Sequence, residues 1–282
     1  MAGTSNSAGT LYIVGTPLGN LEDITRRAER ILRETDLIAC EDTRRTGKLL
    51  ELLGIPKRPL LSCHEHNEAD RVPEILRRLA AGESVALVSD AGMPLTSDPG
   101  YLLVRAAVEA GVAVTPIPGP TAVSSALAAS GLPAAGYRFC GFLPPKSGQR
   151  RRALQALTSQ DVTLVFYEAP HRIKRTLQDI LEILGDRSAV VGREITKMHE
   201  EFLRGTVASV LADLESREHI KGEMTLVVAP AAPEAPPNDQ SLPERVAELT
   251  ASGLTRMDAL KQAARERGIS KSEAYRLVED SE

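Results

Sequence analysis

The feature that most constrains the fold is a repeat. A short apolar run leads into a Gly/Pro-rich loop and then an amphipathic stretch. Residues 11–14, 37–40, 60–62, 85–88 and 112–117 are such runs, each of strand length. After the first run, Ile24, Ala28, Ile31 and Leu32 recur at helical spacing with charges between them. Asn20 is placed to cap that helix, with Asp23 near its third position. Residues 43–53, 68–81 and 101–110 read as further helices. Gly54 and Pro56 close the first of these, and Gly82 the second. Val85 to Val88 is apolar throughout, as expected of a strand covered on both faces. The fold class this predicts is α/β, with a largely parallel sheet sandwiched by helices.

The pattern restarts after Pro118-Gly119-Pro120. Residues 121–130 form a small, Ala-rich helix, and 163–167, 173–184, 189–192, 207–214 and 224–229 alternate between strands and helices. A Pro/Ala stretch, PAAPEAPP at 230–237, reads as a stiff linker. Beyond it, helices are expected at 242–251, 256–267 and 270–278, turned at Gly253 and Gly268. Thr255 and Ser270 are the expected caps, and Ser270 with Glu273 has capping-box spacing. The expected organisation is a disordered tail (1–9), an N-terminal α/β domain (10–118), a C-terminal α/β domain (119–230), a linker (231–238) and a helix-turn-helix-like domain (239–282).

Composition narrows the function classes. A length of 282 residues suggests about two domains. The net charge of −4 argues against blanket attraction to nucleic acid, so any RNA contact must come from local basic patches. The apolar runs are too short to span a membrane, and the N-terminus lacks the basic and apolar regions of a secretory signal, pointing to the cytoplasm. Cys40, Cys63 and Cys140 are odd in number and widely spaced, which fits inert thiols rather than a disulfide frame or zinc site. His64 and His66 flank Glu65 but lack a third ligand at helical spacing, so no metal is expected.

In an open α/β sheet, ligands bind beyond the carboxyl ends of the strands. The loops there are 15–20, 41–44, 89–94, 98–100 and 118–122, rich in Gly and Pro. None is a GxGxxG or a GxxxxGK[ST], so a dinucleotide fingerprint and a P-loop are weakly supported.

The ordered strings LYIVGTPLGNLEDIT, LIACEDTR, ALVSDAGMPLTSDPG, PIPGPTAV, GFLPPKSGQRRR, FYEAPHR and GEMTLVV resemble the tetrapyrrole-methylase superfamily, and within it the branch that acts on ribosomal RNA. The similarity runs from about Leu11 to Ala229, and the terminal helices match that branch as well. The resemblance implies a two-domain class III S-adenosylmethionine methyltransferase fold, a homodimer, no metal, and S-adenosylmethionine in the cleft between the domains. It implies methyl transfer to the ribose 2′-oxygen of a cytidine in the decoding region of 16S ribosomal RNA. Recognition of one nucleotide by a chain of net charge −4 needs shape as well as charge, so the assembled 30S subunit is the expected substrate.

Carried over by motif, Gly15, Thr16 and Pro17 would wall the cofactor. Asp90, Gly92 and Met93 would lie along its methionine and ribose, and Thr121 and Ala122 along the methionine side. Phe166, Tyr167, Glu168, Met224 and Thr225 would close over the adenine. The chain departs from the family pattern at Met93, where Thr is usual, and at Gly15, where a small residue or Pro is usual.

Transfer to a hydroxyl calls for a general base near the cleft. Glu41, Asp42 and Asp90 are the chosen candidates, with His64 and Glu168 also at the sheet's carboxyl edge. Asp42 also suits a helix cap at Thr43. For RNA, one patch is Lys146, Arg150, Arg151 and Arg152. A second contains His171, Arg172, Lys174 and Arg175. Arg44 flanks the acids, and Lys261, Arg265 and Lys271 stand on the tail. Two rivals remain: a methylase of a corrin or porphyrin intermediate, and a non-enzymatic S-adenosylmethionine sensor that binds nucleic acid through its terminal helices.

Overall fold

The computed structural model describes residues 9–231 and 240–279. The expected tail at 1–9 and linker at 231–238 therefore fall almost wholly outside the described residues. Strands β1 (Thr10–Val14), β2 (Leu37–Cys40), β3 (Leu60–Ser62), β4 (Val85–Val88) and β5 (Ala113–Ile117) form an all-parallel sheet in the order β3-β2-β4-β1-β5. Alternate residues point to opposite faces. Val14, Ile38, Ala86 and Val88 pack on α1 (Arg26–Glu34) and α2 (Thr43–Leu52) through Ile31, Leu32 and Leu50. Leu11, Leu37, Val85 and Leu87 pack on α3 (Glu68–Ala80) and α4 (Tyr101–Glu109) through Ile75, Leu79 and Leu103. Both faces of the central strands β2 and β4 are covered, which is why these two read as unbroken apolar runs.

A second sheet follows, with α5 (Ala122–Ser130) leading into it. It comprises β6 (Tyr137–Phe142), β7 (Thr163–Glu168), β8 (Ser188–Arg193), β9 (Glu201–Thr206) and β10 (Met224–Val228), in the order β6-β7-β10-β8-β9. Only the β6–β7 pair is parallel. On one face α5 places Val123, Ala126 and Leu127 against Val165, Val190 and Val227. The other face carries α6 (Ser147–Gln155), α7 (Ile173–Leu184) and α8 (Val207–Ser216), which pack Leu154, Leu177 and Leu211 onto Leu164, Phe166 and Leu226.

The chain divides into two compact units. Both sheets belong to the first, so the boundary expected near Pro118 falls inside one unit. The second unit holds α9 (Leu242–Ala251), α10 (Arg256–Glu266) and α11 (Lys271–Glu279) around a small core of Leu242, Val246, Leu260 and Val278. Ser241 and Glu244 cap α9 reciprocally, Thr255 caps α10, and Ser270 accepts from the Glu273 amide at 3.2 Å.

Several local expectations need correction. Asn20 does cap a helix, but only a single 3₁₀ turn, Leu21–Asp23. The α-helix begins later, with Thr25 accepting from the Ala28 amide, so Ile24 precedes the helix and packs on the core from the loop. Strands β6 and β9 and helix α6 are absent from the sequence reading. The two strands are the edges of the second sheet and are mostly half-exposed, so neither has a full apolar face. Helix α6 opens on Ser-Gly and three arginines, with no side-chain cap.

Candidate functional site

Three loops at the carboxyl edge of the first sheet are fastened by main chain. The Thr16 amide donates to the Gly92 carbonyl at 2.9 Å, and the Gly92 amide returns to the Thr16 carbonyl at 3.0 Å. The buried Thr16 hydroxyl donates to the Ser89 carbonyl at 3.1 Å. Gly15 faces Gly119 so closely that a Cβ on Gly15 would lie 2.7 Å from the Gly119 Cα. The same Cβ would lie 2.7 Å from the Met93 sulfur. The two positions that depart from the family pattern therefore touch each other, and the bulk at 93 occupies room that Gly15 leaves. Gly92 holds a φ of 86°, a region open mainly to glycine.

Above this floor is a cavity of about 400 Å³, a size typical of small-molecule sites. Asp90, Gly92, Met93, Thr121, Ala122, Tyr167, Glu168, Met224 and Thr225 line it, as do Leu18, Phe142, Gly192 and Ile195. Glu41 is also on its wall. Of the residues carried over as cofactor contacts, Gly15, Thr16, Pro17 and Phe166 lie outside the lining. The first three form or flank the fastened floor. Phe166 points to the opposite face of β7 from Tyr167 and is fully buried against the helices. Glu168 lines the cavity, but its carboxylate is already used. It accepts from the Ala169 amide at 2.7 Å and the Thr176 hydroxyl at 2.6 Å, and it pairs with Arg172.

The cavity is acidic. Glu41, Asp90, Asp98, Glu168 and Glu223 face it against the single cation Arg45. Asp98 is not among the expected site residues, although its loop lies at the expected strand end. Burial, then the Glu41 charge, push its carboxyl up to about 6. Burial, then Asp90, raise Glu41 as well, while Arg45 and His64 pull the other way. Burial, then Asp98, push the Tyr167 phenol up to about 12, so it stays a neutral donor. Asp90 is committed: one oxygen accepts from the Asp42 amide at 3.2 Å and the other pairs with Arg45 at 3.2 Å. Asp42 is the α2 cap and pairs with Arg44 at 2.8 Å, which holds its carboxyl well below the usual range. Glu41 has no side-chain hydrogen bond or ion pair among the described residues.

An outer groove of about 510 Å³ adjoins the cavity. Glu41, Arg45 and Asp90 line both spaces. The groove adds Asp42, Arg44, Ser62, His64, Glu65 and His66, and the buried Nδ1 of His64 has no partner there. An orphaned buried nitrogen marks a place where a polar ligand or water is needed. Among the described residues no group of His, Cys, Asp and Glu has a metal-binding arrangement. Cys40 and Cys63 are buried, and burial first raises the thiols of all three cysteines.

The structure separates the residues expected to meet RNA. Arg150 is buried and pairs with Asp179 at 2.6 Å, so it does not reach solvent. Arg151 pairs with Asp179 at 3.0 Å and also with Glu182. Arg172 turns inward to Glu168 and stacks over Phe142. Lys146, Arg152 and His171 remain exposed, and Arg44 is exposed but paired with Asp42. On the second unit, Lys261, Arg265 and Lys271 are exposed, Lys261 pairing with Asp258 at 3.0 Å.

Comparison with known proteins joins this geometry to a family. The family model of Tetrapyrrole (Corrin/Porphyrin) Methylases matches residues 10–211. The "Ribosomal RNA small subunit methyltransferase I" of Halalkalibacterium halodurans is 47% identical over 274 residues, covering 95% of this chain and 94% of that one. The protein of the same name from Thermotoga maritima is 51% identical over 221 residues, covering 78% of this chain and 98% of its own. Among solved structures, uroporphyrin-III C-methyltransferase of Thermus thermophilus, complexed with S-adenosyl homocysteine, has a TM-score of 0.53 at 20% identity, covering 78% of this chain and 97% of that one. The family match covers the whole first sheet and the second as far as α8, and relatives close to half identical cover most of the chain: this chain belongs to the tetrapyrrole methylase family.

Proposed function

We propose that the protein is an S-adenosylmethionine-dependent methyltransferase of small-subunit ribosomal RNA, acting on the ribose 2′-oxygen of a cytidine in the decoding region. The substrate class follows from relatives named for small-subunit ribosomal RNA at close to half identity over most of both chains. The chemistry of the cavity supports the cofactor. Its excess of carboxylates suits a sulfonium and an ammonium group, and Leu18, Ala122, Ile195 and Met224 give apolar cover. Thr121, Ala122, Tyr167, Met224 and Thr225 would hold the cofactor, over a floor kept by Gly15 and Thr16. Bound there, S-adenosylmethionine supplies an already activated methyl group whose departure leaves a neutral thioether.

The observation that carries the mechanism is the shared wall. An acceptor arriving through the outer groove reaches the cavity at Glu41, Arg45 and Asp90. Arg45 pairs with Asp90 and Asp90 is doubly engaged, so Glu41 is the group available to take the 2′-hydroxyl proton. The ribose oxygen gains the methyl and the proton passes to the Glu41 carboxylate. Arg45 and His64 orient the nucleotide, and Asp42 holds Arg44 and the start of α2 in place. Action in the cytoplasm, on the 30S subunit and as a homodimer complete the proposal, together with an N-terminal domain at 10–118 and a C-terminal one at 119–230. Among the described residues no helix is long and apolar enough to cross a membrane.

The test is transfer of labelled methyl from S-adenosylmethionine to 30S subunits lacking the modification, with the product nucleotide mapped. Glu41→Gln should bind the cofactor normally yet lose about 10²–10⁴-fold in kcat. Label on a base, or full activity in Glu41→Gln, would remove the mechanism. Methylation of a porphyrinoid but not RNA would remove the substrate class.

A further inference from the structure

Of the basic patches legible in the sequence, the first loses Arg150 and Arg151 to ion pairs with Asp179, whereas the second continues into a surface that the sequence does not reveal. Pro170 lines the reaction cavity and also a groove of about 360 Å³ on the outside of the second sheet. That groove brings His171, Lys174 and Arg175, at the start of α7, beside His219 and Lys221 from the loop after α8. Glu218 is its one acid. A second groove of about 300 Å³ shares His219, Ile220 and Lys221 and runs on to Arg193, Arg217 and His199.

The basic side chains divide into two sets. Arg193 and Arg217 both pair with Glu201, at 3.0 and 2.7 Å, and Arg193 donates to the Lys221 carbonyl at 3.1 Å. Lys174 reaches the Arg217 carbonyl at 3.5 Å. These contacts fix the loop that presents Lys221. His171, Arg175 and Lys221 are exposed and make no ion pair among the described residues. The outer groove beside Glu41 differs, because its arginines Arg44 and Arg45 already face carboxylates. It suits a nucleoside, whereas the groove beyond Pro170 suits a string of phosphates.

From this we infer that the grooves lined by His171, Lys174, Arg175, His219 and Lys221 form a track for the sugar–phosphate backbone of the RNA substrate, entering the reaction cavity past Pro170. The inference rests on the RNA reading above. A chain of net charge −4 needs a focused patch of this kind to grip a polyanion. Cations at fixed spacing along a groove position the strand without reading its sequence.

The experiment uses the full chain, 30S subunits and the charge reversal R175E/K221E, with R30E/K57E on the first sheet's side as a control of equal charge change. Wild-type methylation of 30S subunits is measured first; its absence would refute the RNA reading itself. Given that activity, R175E/K221E should raise KM about tenfold or more, leave kcat and cofactor affinity within about twofold, and lower the salt slope of RNA binding by about 0.7–0.9 per lost contact. The conservative pair R175K/K221R should restore binding. Unchanged KM and salt slope in R175E/K221E would overturn the inference. So would an equal loss in R30E/K57E, which would show a bulk charge effect. Melting curves confirm that each variant is folded.

Discussion

Arg150 was expected to touch RNA, and its environment predicts a different phenotype when it is perturbed. Its side chain is 6% exposed and the facing Asp179 side chain 11%, with nitrogen and oxygen 2.6 Å apart. Arg150 also donates to the Pro145 carbonyl at 3.2 Å. Asp179→Ala would leave a buried guanidinium with one carbonyl partner, and removing one member of such a pair costs about 3–5 kcal/mol. For a body of this size each kcal/mol lowers Tm by about 2–4 °C, so the loss should be about 6–20 °C. Arg150→Ala should cost less, about 2–3 kcal/mol, because Arg151 still reaches Asp179 at 3.0 Å. The double change Arg150→Met with Asp179→Leu should recover most of the loss, since an apolar pair of similar volume avoids the burial of charge. Urea and thermal unfolding give these values, and RNA binding is titrated against salt for each variant. If Arg150→Ala kept the wild-type midpoint and lowered the salt slope, Arg150 would be a phosphate contact and the reasoning from burial would be wrong.

Other outcomes follow from the site. Folding lifts the Asp98 carboxyl from 3.8 to about 6, so ionising it costs the folded state. Below about pH 4 both folded and unfolded chains are protonated there, and this advantage fades as pH rises through 6; Asp98→Asn should therefore raise Tm at pH 7.5 and leave it unchanged near pH 4, and equal shifts at both would contradict the assignment. The raised carboxyl of Glu41 places the rise of kcat with pH above the ordinary glutamate range, and Glu41→Gln should flatten that limb of the rate profile. Gly15→Ala should weaken cofactor binding and lower Tm, because its methyl meets Gly119 backbone and the Met93 sulfur. In a Met93→Thr background the loss should shrink by about 0.5–1 kcal/mol, and strict additivity would show that the two positions do not communicate. Removing residues 232–282 should leave the melting of the first unit nearly unchanged, since α9–α11 pack on a core of their own. A loss of RNA affinity in that truncation, read by the salt slope, would give the tail a share of the grip.

Legibility in the sequence followed burial. The central strands β2 and β4 are buried throughout, so they read as unbroken apolar runs and their ends locate the ligand loops within a residue or two. Edge strands β6 and β9 carry Tyr137, Arg138, Arg204 and Gly205 on exposed positions, and no alternating pattern survives there. Side-chain roles were harder to read. Phe166 and Tyr167 are neighbours in sequence and motif, yet the strand's two-residue period sends one to the core and the other to the cavity. Arg150, Arg151 and Arg152 look alike in a string of basic residues. Only helix phase and the placement of Asp179 on α7 decide which one is buried. Asp98 and Glu41 lie 57 positions apart, and their mutual charge effect exists only once β2 and β4 are adjacent. Lys221 joins Arg175 by the same kind of long-range closure.

The floor of the cavity is sewn from peptide groups. Thr16 and Gly92 exchange amide-to-carbonyl hydrogen bonds, and Gly15 meets Gly119 main chain to main chain. A seam of this kind places few demands on the letters written along it, beyond the need for smallness at two or three points. A seat built this way can keep its shape while the side chains around it change, which fits a fold shared with uroporphyrin-III C-methyltransferase at 20% identity.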